Sequence, residues 1–204
     1  QSSEIFFLSF EERLELLKFI MANKPEGMSI VASGHTADDL DTQIEEAKAF
    51  IACGIDAYVF ISNRFAKEDE DDDVLLKNME YVANALPDIP LGVYECPYPY
   101  KRLVTPKILD WCLSTGKFYY MKDTSCDAEI MAERCRQLKG RPFKLLNANC
   151  QTLLESMRNG GDGYCGIMCN FHPALYTWMG ENYAKDPLTA ELVQSVIGTF
   201  GFTE

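Results

Sequence analysis

A lysine and a tyrosine that close two apolar segments are the residues whose placement suggests chemistry. Lys122 ends Phe118-Tyr119-Tyr120-Met121-Lys122 and is followed by Asp123-Thr124-Ser125. An ammonium packed among buried aromatic rings is poorly solvated, which favours the neutral, nucleophilic amine. Such an amine can attack a ketone carbonyl, and the imine that forms is an electron sink. Tyr94, in Gly92-Val93-Tyr94-Glu95-Cys96-Pro97, ends the preceding apolar segment. A phenol beside the amine could deliver protons during imine formation and carbon–carbon cleavage. Each residue alone has an ordinary alternative, a lysine that snorkels to water or a core tyrosine with a satisfied hydroxyl.

Two segment ends can meet only if the segments lie side by side in parallel. The sequence predicts six short strands, over Ser29–Ser33, Ala57–Ser62, Pro90–Cys96, Phe118–Lys122, Phe143–Asn147 and Gly163–Cys169. All read as apolar throughout, the pattern of a parallel sheet covered by helices. Helices are predicted between them. Ser9-Phe10-Glu11-Glu12 is a capping box, and Thr36 is read as the cap of a second helix with Asp39 at N3. Thr105-Pro106 places proline at the favoured first position of another.

The choice is between an open doubly wound sheet and a (β/α)8 barrel. No G-x-G-x-x-G loop follows a strand, which disfavours a dinucleotide site. Ser33, Asn63, Tyr94, Lys122, Asn147 and Asn170 gather at predicted strand ends, where barrel enzymes build their sites. A full barrel needs roughly 250 residues, so the first β-α-β portion is expected to lie before Gln1. Residues 1–185 are read as the barrel domain and 186–204 as the start of a C-terminal helical segment. The doubly wound nucleotide-binding reading stays open on strand order alone.

Composition removes other classes. A net charge of −12 over 204 residues repels polyphosphate, so no nucleic-acid partner is expected. No apolar run approaches the roughly 20 residues of a membrane span. The run Glu68–Asp73 reads as a solvated loop or helix start, with metal binding as its rival. Eight cysteines without a C-x-x-C pair argue for free thiols in a reducing cytoplasm rather than for a zinc site.

Tyr94-Glu95-Cys96-Pro97 with Lys122-Asp123-Thr124-Ser125 resembles the dihydrodipicolinate synthase / N-acetylneuraminate lyase family. Gln1-Ser2-Ser3-Glu4 with Leu8-Ser9 and Glu12-Arg13 is similar to its G-[ST]-[ST]-G-E…L-[ST]-x-x-E-R segment. Gly54-Ile55-Asp56-Ala57, and Gly160-Gly161-Asp162-Gly163 through Asn170-Phe171-His172-Pro173, follow in the family's order. The resemblance implies a (β/α)8 barrel, a homo-oligomer (dimer or tetramer), no metal or organic cofactor, and a pyruvate-like 2-keto acid as small-molecule partner. It implies that Lys122 forms the imine, that Tyr94 is acid and base, and that Ser2 and Ser3 hold the keto-acid carboxylate. It also implies a main-chain carbonyl from Cys165 near the site.

Departures from the family pattern bear on substrate. Where dihydrodipicolinate synthases carry an arginine for the second substrate's carboxylate, this chain has Pro99, with Lys101 and Arg102 as possible substitutes. Where they carry P-Y-Y, it has Asn63-Arg64-Phe65, and Phe65 has no hydroxyl to relay protons. Arg64 is read as a surface residue or an anchor for an acidic substrate tail. His35 is read as a substrate contact or as a residue that merely precedes a helix. The expected activity is a lyase or synthase other than a true dihydrodipicolinate synthase. The alternative is a non-catalytic relative that binds a keto acid or a protein partner.

Overall fold

The computed structural model describes residues 4–201, so Ser2 and Ser3 lie outside the described residues. The chain divides into two compact units, Gln1–Tyr119 and Tyr120–Glu204.

The first unit contains α1 (Phe10–Asn23), β1 (Val31–Ala32), α2 (Leu40–Ile51), β2 (Ala57–Ile61), α3 (Asp72–Ala85), β3 (Leu91–Tyr94) and α4 (Pro106–Thr115). β1 runs parallel to β2, and β2 parallel to β3, with Tyr58 opposite Leu91 and Ile61 opposite Tyr94. Every residue of β2 is buried, as a continuous apolar run predicts. Phe60 centres the packing, with ring centroids 4.8 Å from Phe65 and 5.6 Å from Phe118.

Helix starts follow the capping residues. Ser9 and Glu12 form the reciprocal box that opens α1. Asp71 accepts from the N–H groups of Asp73 and Val74 to open α3, and Thr105 caps α4. Each such cap is worth about 1 kcal/mol. The second helix differs from the sequence reading: Asp39, not Thr36, is its cap and accepts from the Thr42 N–H at 2.7 Å. Thr36 instead donates its N–H to Glu46 at 3.0 Å.

The second unit completes β4 (Phe118–Asp123), which begins in the first. It adds α5 (Ala128–Leu138), β5 (Lys144–Asn147), α6 (Leu153–Arg158), β6 (Gly163–Tyr164), α7 (Pro173–Asn182) and α8 (Pro187–Phe200). β4 pairs in parallel with β5, and β5 with β6, setting Lys122 opposite Leu146 and Leu146 opposite Gly163. Its core joins Leu153, Leu154, Met157, Met179 and Ile197 from α6, α7 and α8. β6 is shorter than the sequence suggested. Gly166 is still extended, at a place where a Cβ would overlap the Tyr164 hydroxyl and the Ala148 carbonyl, and a 3₁₀ turn begins at Ile167. Cys165 and Cys169 therefore lie beyond β6, the latter in a 3₁₀ turn over Ile167–Asn170.

One device recurs in both units. Gly54 and Gly160 turn the chain at φ +85° and +103°, conformations that suit glycine, and an aspartate follows two residues later. The Asp56 N–H donates to the Ile30 carbonyl at 2.8 Å, and its carboxylate accepts from the Ile30 N–H at 2.7 Å. Asp162 does the same with Leu145, at 2.8 and 2.9 Å. Each aspartate thus fixes the register of its strand against the preceding one.

The turn after β1 is held by a buried ion pair. Arg13 of α1 meets Glu46 of α2 at 2.8 Å, with side chains 7% and 8% exposed, and also donates to the Gly34 carbonyl. Removing one partner of a buried pair leaves a charge unmatched in the interior. We predict that Arg13→Met lowers unfolding stability by about 3–5 kcal/mol in a urea titration.

Candidate active site

The end of β4 presents Lys122 on one face and Asp123 on the other, since successive strand residues alternate. Asp123 is 1% exposed, so its carboxylate must find partners inside the protein. One oxygen accepts from the Ser125 N–H at 2.8 Å and the Ser125 hydroxyl at 2.7 Å. The other accepts from Arg134 of α5, itself 4% exposed. The Asp123 main-chain carbonyl accepts from the Ala148 N–H at 2.9 Å.

β5 ends on the same plan with neutral groups. Asn147, opposite Asp123, accepts from the Asn149 N–H at 2.7 Å and donates to Thr152 and Ser156 at 3.0 and 3.2 Å. Its carbonyl accepts from the Cys165 N–H at 2.8 Å, which sets Cys165 at the same end of the strands as Lys122. Asn147 is thus a structural residue, whereas the sequence alone grouped it with reactive ones. Asn170 falls in the 3₁₀ turn rather than at a strand end, and His172 stacks on Phe200 at 4.4 Å.

The surroundings of Lys122 differ from the expected aromatic wall. Tyr119 is 45% exposed, and Met121 and Asp123 provide the buried flanks. Tyr120 shares the lysine's face of β4 and its hydroxyl is buried without a hydrogen-bond partner. Burial first, and neighbouring Cys165 second, push that phenol up from its ordinary value. Burial likewise raises the Cys169 thiol, while the Lys122 charge pulls the other way. All eight cysteines are free thiols.

In the first unit, Tyr94 ends β3 and is half-buried. The segment after it is held by Asn63, whose amide donates to the carbonyls of Cys96, Tyr98 and Tyr100 at 2.8, 2.9 and 2.5 Å. Glu95 is fully buried and accepts from the Val104 N–H at 2.6 Å. Pro99 and Tyr100 line a cavity of about 530 Å³ together with Asn63, Arg64 and Phe65. Arg64 is not a plain surface residue: its side chain is 12% exposed, 3.1 Å from Asp38 and stacked 4.9 Å over Phe6. Arg102 turns to the start of α3, reaching Asp72 at 2.9 Å and the Glu70 carbonyl at 2.6 Å. The acidic run therefore caps and anchors α3: Asp72 also accepts from Thr105 at 2.6 Å, and Asp73 from Lys107 at 2.6 Å. Among the described residues no group of three or more His, Cys, Asp or Glu side chains could hold a metal ion.

His35 is a core residue. It is 1% exposed, its Nε2 accepts from the Ile61 N–H at 2.8 Å, and its Nδ1–H therefore points to Gln43 at 3.0 Å. Phe65 packs at 5.2 Å from it, so the phenyl ring fills the first unit's interior. Burial, opposed by the Gln43 hydrogen bond and aided by Arg64, lowers the imidazole to about 4.

Sequence reasoning missed Asp123 and Arg134 as a pair. A signal existed: Arg134 lies in the stripe Met131, Arg134, Cys135, Leu138 on the buried face of α5. An arginine in such a stripe requires a carboxylate partner.

Parallel strands joined by helices, with polar residues at their C-terminal ends, define an α/β protein of the kind that carries its site at those ends. The chain matches the Dihydrodipicolinate synthetase family over residues 1–199, and it belongs to that family. Its fold is similar to that of YagE, a prophage protein of the dihydrodipicolinic acid synthase family from E. coli K12, solved with pyruvate. The TM-score is 0.83 at 20% identity, covering 93% of this chain and 64% of that one. It is similar to CdNal from Clostridium difficile, solved with mannosamine, at TM-score 0.82 and 18% identity, covering 94% and 64%. A dihydrodipicolinate synthase from Acinetobacter baumannii with pyruvate matches at TM-score 0.81 and 21% identity, covering 97% and 67%. The chain thus spans 64% of the length of the first two. No helix among the described residues is long and apolar enough to cross a membrane.

The His35 imidazole gives a pH prediction. Its folded value of about 4 lies below the ordinary imidazole value of 6.5, so between these limits the unfolded chain binds more protons. Stability is fully present above pH 6.5 and is lost as pH falls towards 4, by on the order of 3 kcal/mol from this group. Urea unfolding at pH 7, 5.5 and 4 measures the loss, and an NMR titration of the ring protons should give a midpoint near 4.

Proposed function

We propose that this chain carries the imine-forming machinery of a class I lyase or synthase acting on pyruvate or a related 2-keto acid. Lys122 is the nucleophile and Tyr94 the acid and base. Ser2 and Ser3 hold the substrate carboxylate, and Cys165 supplies a main-chain carbonyl beside it. The observation that carries the reading is Lys122 itself: the family's lysine motif falls at the C-terminal end of a parallel strand, followed by an aspartate held on the opposite face. Solved relatives of the same fold were obtained with pyruvate, which supports a keto acid as ligand. The reading takes residues 1–185 as part of a (β/α)8 barrel with six recognisable strands, leading into a C-terminal helical segment. It places the protein in the cytoplasm, with eight free thiols in support, and as a homo-oligomer.

The substrate pairing of lysine biosynthesis is not part of the reading. Phe65 has no hydroxyl and is packed against His35 and Phe60, so it cannot relay a proton. Pro99 replaces the expected arginine, and Arg102 is occupied with Asp72. The same two features favour the second reading, a non-catalytic relative that binds a keto acid or a protein partner.

Borohydride reduction in the presence of pyruvate separates the two. A covalent adduct mapped to Lys122, absent in Lys122→Met, is the expected result. Tyr94→Phe should still give the adduct but slow its formation by about 100-fold, the usual contribution of a positioned acid–base group. Binding of pyruvate without any adduct would establish the second reading.

A further inference from the structure

We infer that Arg134 is a positioning residue for Lys122, acting through Asp123. The inference rests on the imine-forming reading for its functional consequence, and on the geometry of β4 and α5 for its physical basis.

Lys122 and Asp123 project from opposite faces of one strand end, so whatever fixes the direction of one side chain fixes that of the other. Asp123 is held at three independent points. Its carboxylate closes the turn through Ser125 and pairs with Arg134, and its carbonyl is tied to Ala148 after β5. Arg134 reaches it from the middle of α5, eleven residues on, so the helix is locked to the strand end at the level of the lysine.

The neighbouring strand shows that a charge is not needed for this anchoring. Asn147 occupies the opposite register position, is 2% exposed, and closes the same turn to the residue two ahead. It reaches α6 through Ser156 with neutral hydrogen bonds alone. Two ions in that setting cost desolvation that an asparagine and a hydroxyl avoid. What the ion pair adds is directionality: a charge-assisted N–H of a planar guanidinium points in a fixed direction at one carboxylate oxygen, where a hydroxyl can rotate. Of the two strand ends compared, the one that carries the lysine has that stiffness.

The test compares wild type with Arg134→Lys, Arg134→Met and the neutral pair Asp123→Asn/Arg134→Met. Circular dichroism reads the fold, and borohydride trapping with pyruvate reads the rate and half-saturation of adduct formation. [13C]dimethylation of lysines followed by NMR reads the environment of Lys122 without any substrate. The neutral pair keeps the side-chain oxygen that closes the turn to Ser125, as Asn147 does to Asn149, and leaves no unmatched charge, so it is expected to fold whether or not Arg134→Met does. In it, trapping at saturating pyruvate should slow about 100-fold, the cost of misplacing a reacting group by about 1 Å. Half-saturation should stay within about twofold, and Arg134→Lys should recover most of the rate. The Lys122 resonance should move in the neutral pair. A folded neutral pair that traps at the wild-type rate, or whose Lys122 resonance is unmoved, overturns the inference. So does loss of the fold in the neutral pair, which would make the ion pair a stability element only. If wild type forms no adduct, the imine reading fails on its own, and the resonance alone decides whether Arg134 positions Lys122.

Discussion

A carboxylate buried at the end of a strand has to be matched on every side, and Asp123 is the residue on which the local architecture turns. Its needs dictate a serine two residues on, an arginine on the buried stripe of α5, and a backbone amide after β5. Met121, 0% exposed, secures the same face of β4 by apolar packing. With that face of β4 committed to α5, Lys122 is left on the other. Lys-Asp-Thr-Ser is therefore a mechanical unit as well as a motif: the aspartate and serine form the turn that carries the lysine.

The first unit applies comparable constraints to other ends. Arg13, Glu46 and the Gly34–Thr36 turn tie α1, α2 and the exit of β1 together. Asn63 gathers three carbonyls of the segment that follows Tyr94. Several side chains that could have served a substrate are consumed by this work. His35 supports Ile61 and Gln43, and Arg102 secures the start of α3. Phe65 is committed in the same way, packed against His35 and Phe60.

Much of this was legible in the sequence. The Ser9 box, the Thr105-Pro106 start and the apolar run of β2 are local signals, and they gave the elements they predict. The Gly-x-Asp turns at residues 54–56 and 160–162 were visible as family motifs, but their purpose was not. An aspartate that bonds the backbone of a distant strand leaves no periodic trace. Thr36 and Asp39 both make acceptable caps, and the choice fell to Asp39 because Glu46 takes the Thr36 amide. The strand over 163–169 stops at Tyr164 because the apolar residues from Ile167 enter a 3₁₀ turn, which a short apolar run does not distinguish from a strand. The aromatic surround of Lys122 was overdrawn for a related reason: composition places tyrosines near the lysine but not their exposure. Ser2 and Ser3 lie outside the described residues, so the carboxylate-holding role assigned to them rests on the motif alone.

An imine between Lys122 and a 2-keto acid would be visible in a crystal of the protein soaked in pyruvate. Continuous density from Lys122 Nζ to the keto carbon, with the Tyr94 hydroxyl within hydrogen-bond distance of the new bond, is the result expected. Pyruvate bound away from Lys122, or a free lysine beside an ordered keto acid, would contradict it.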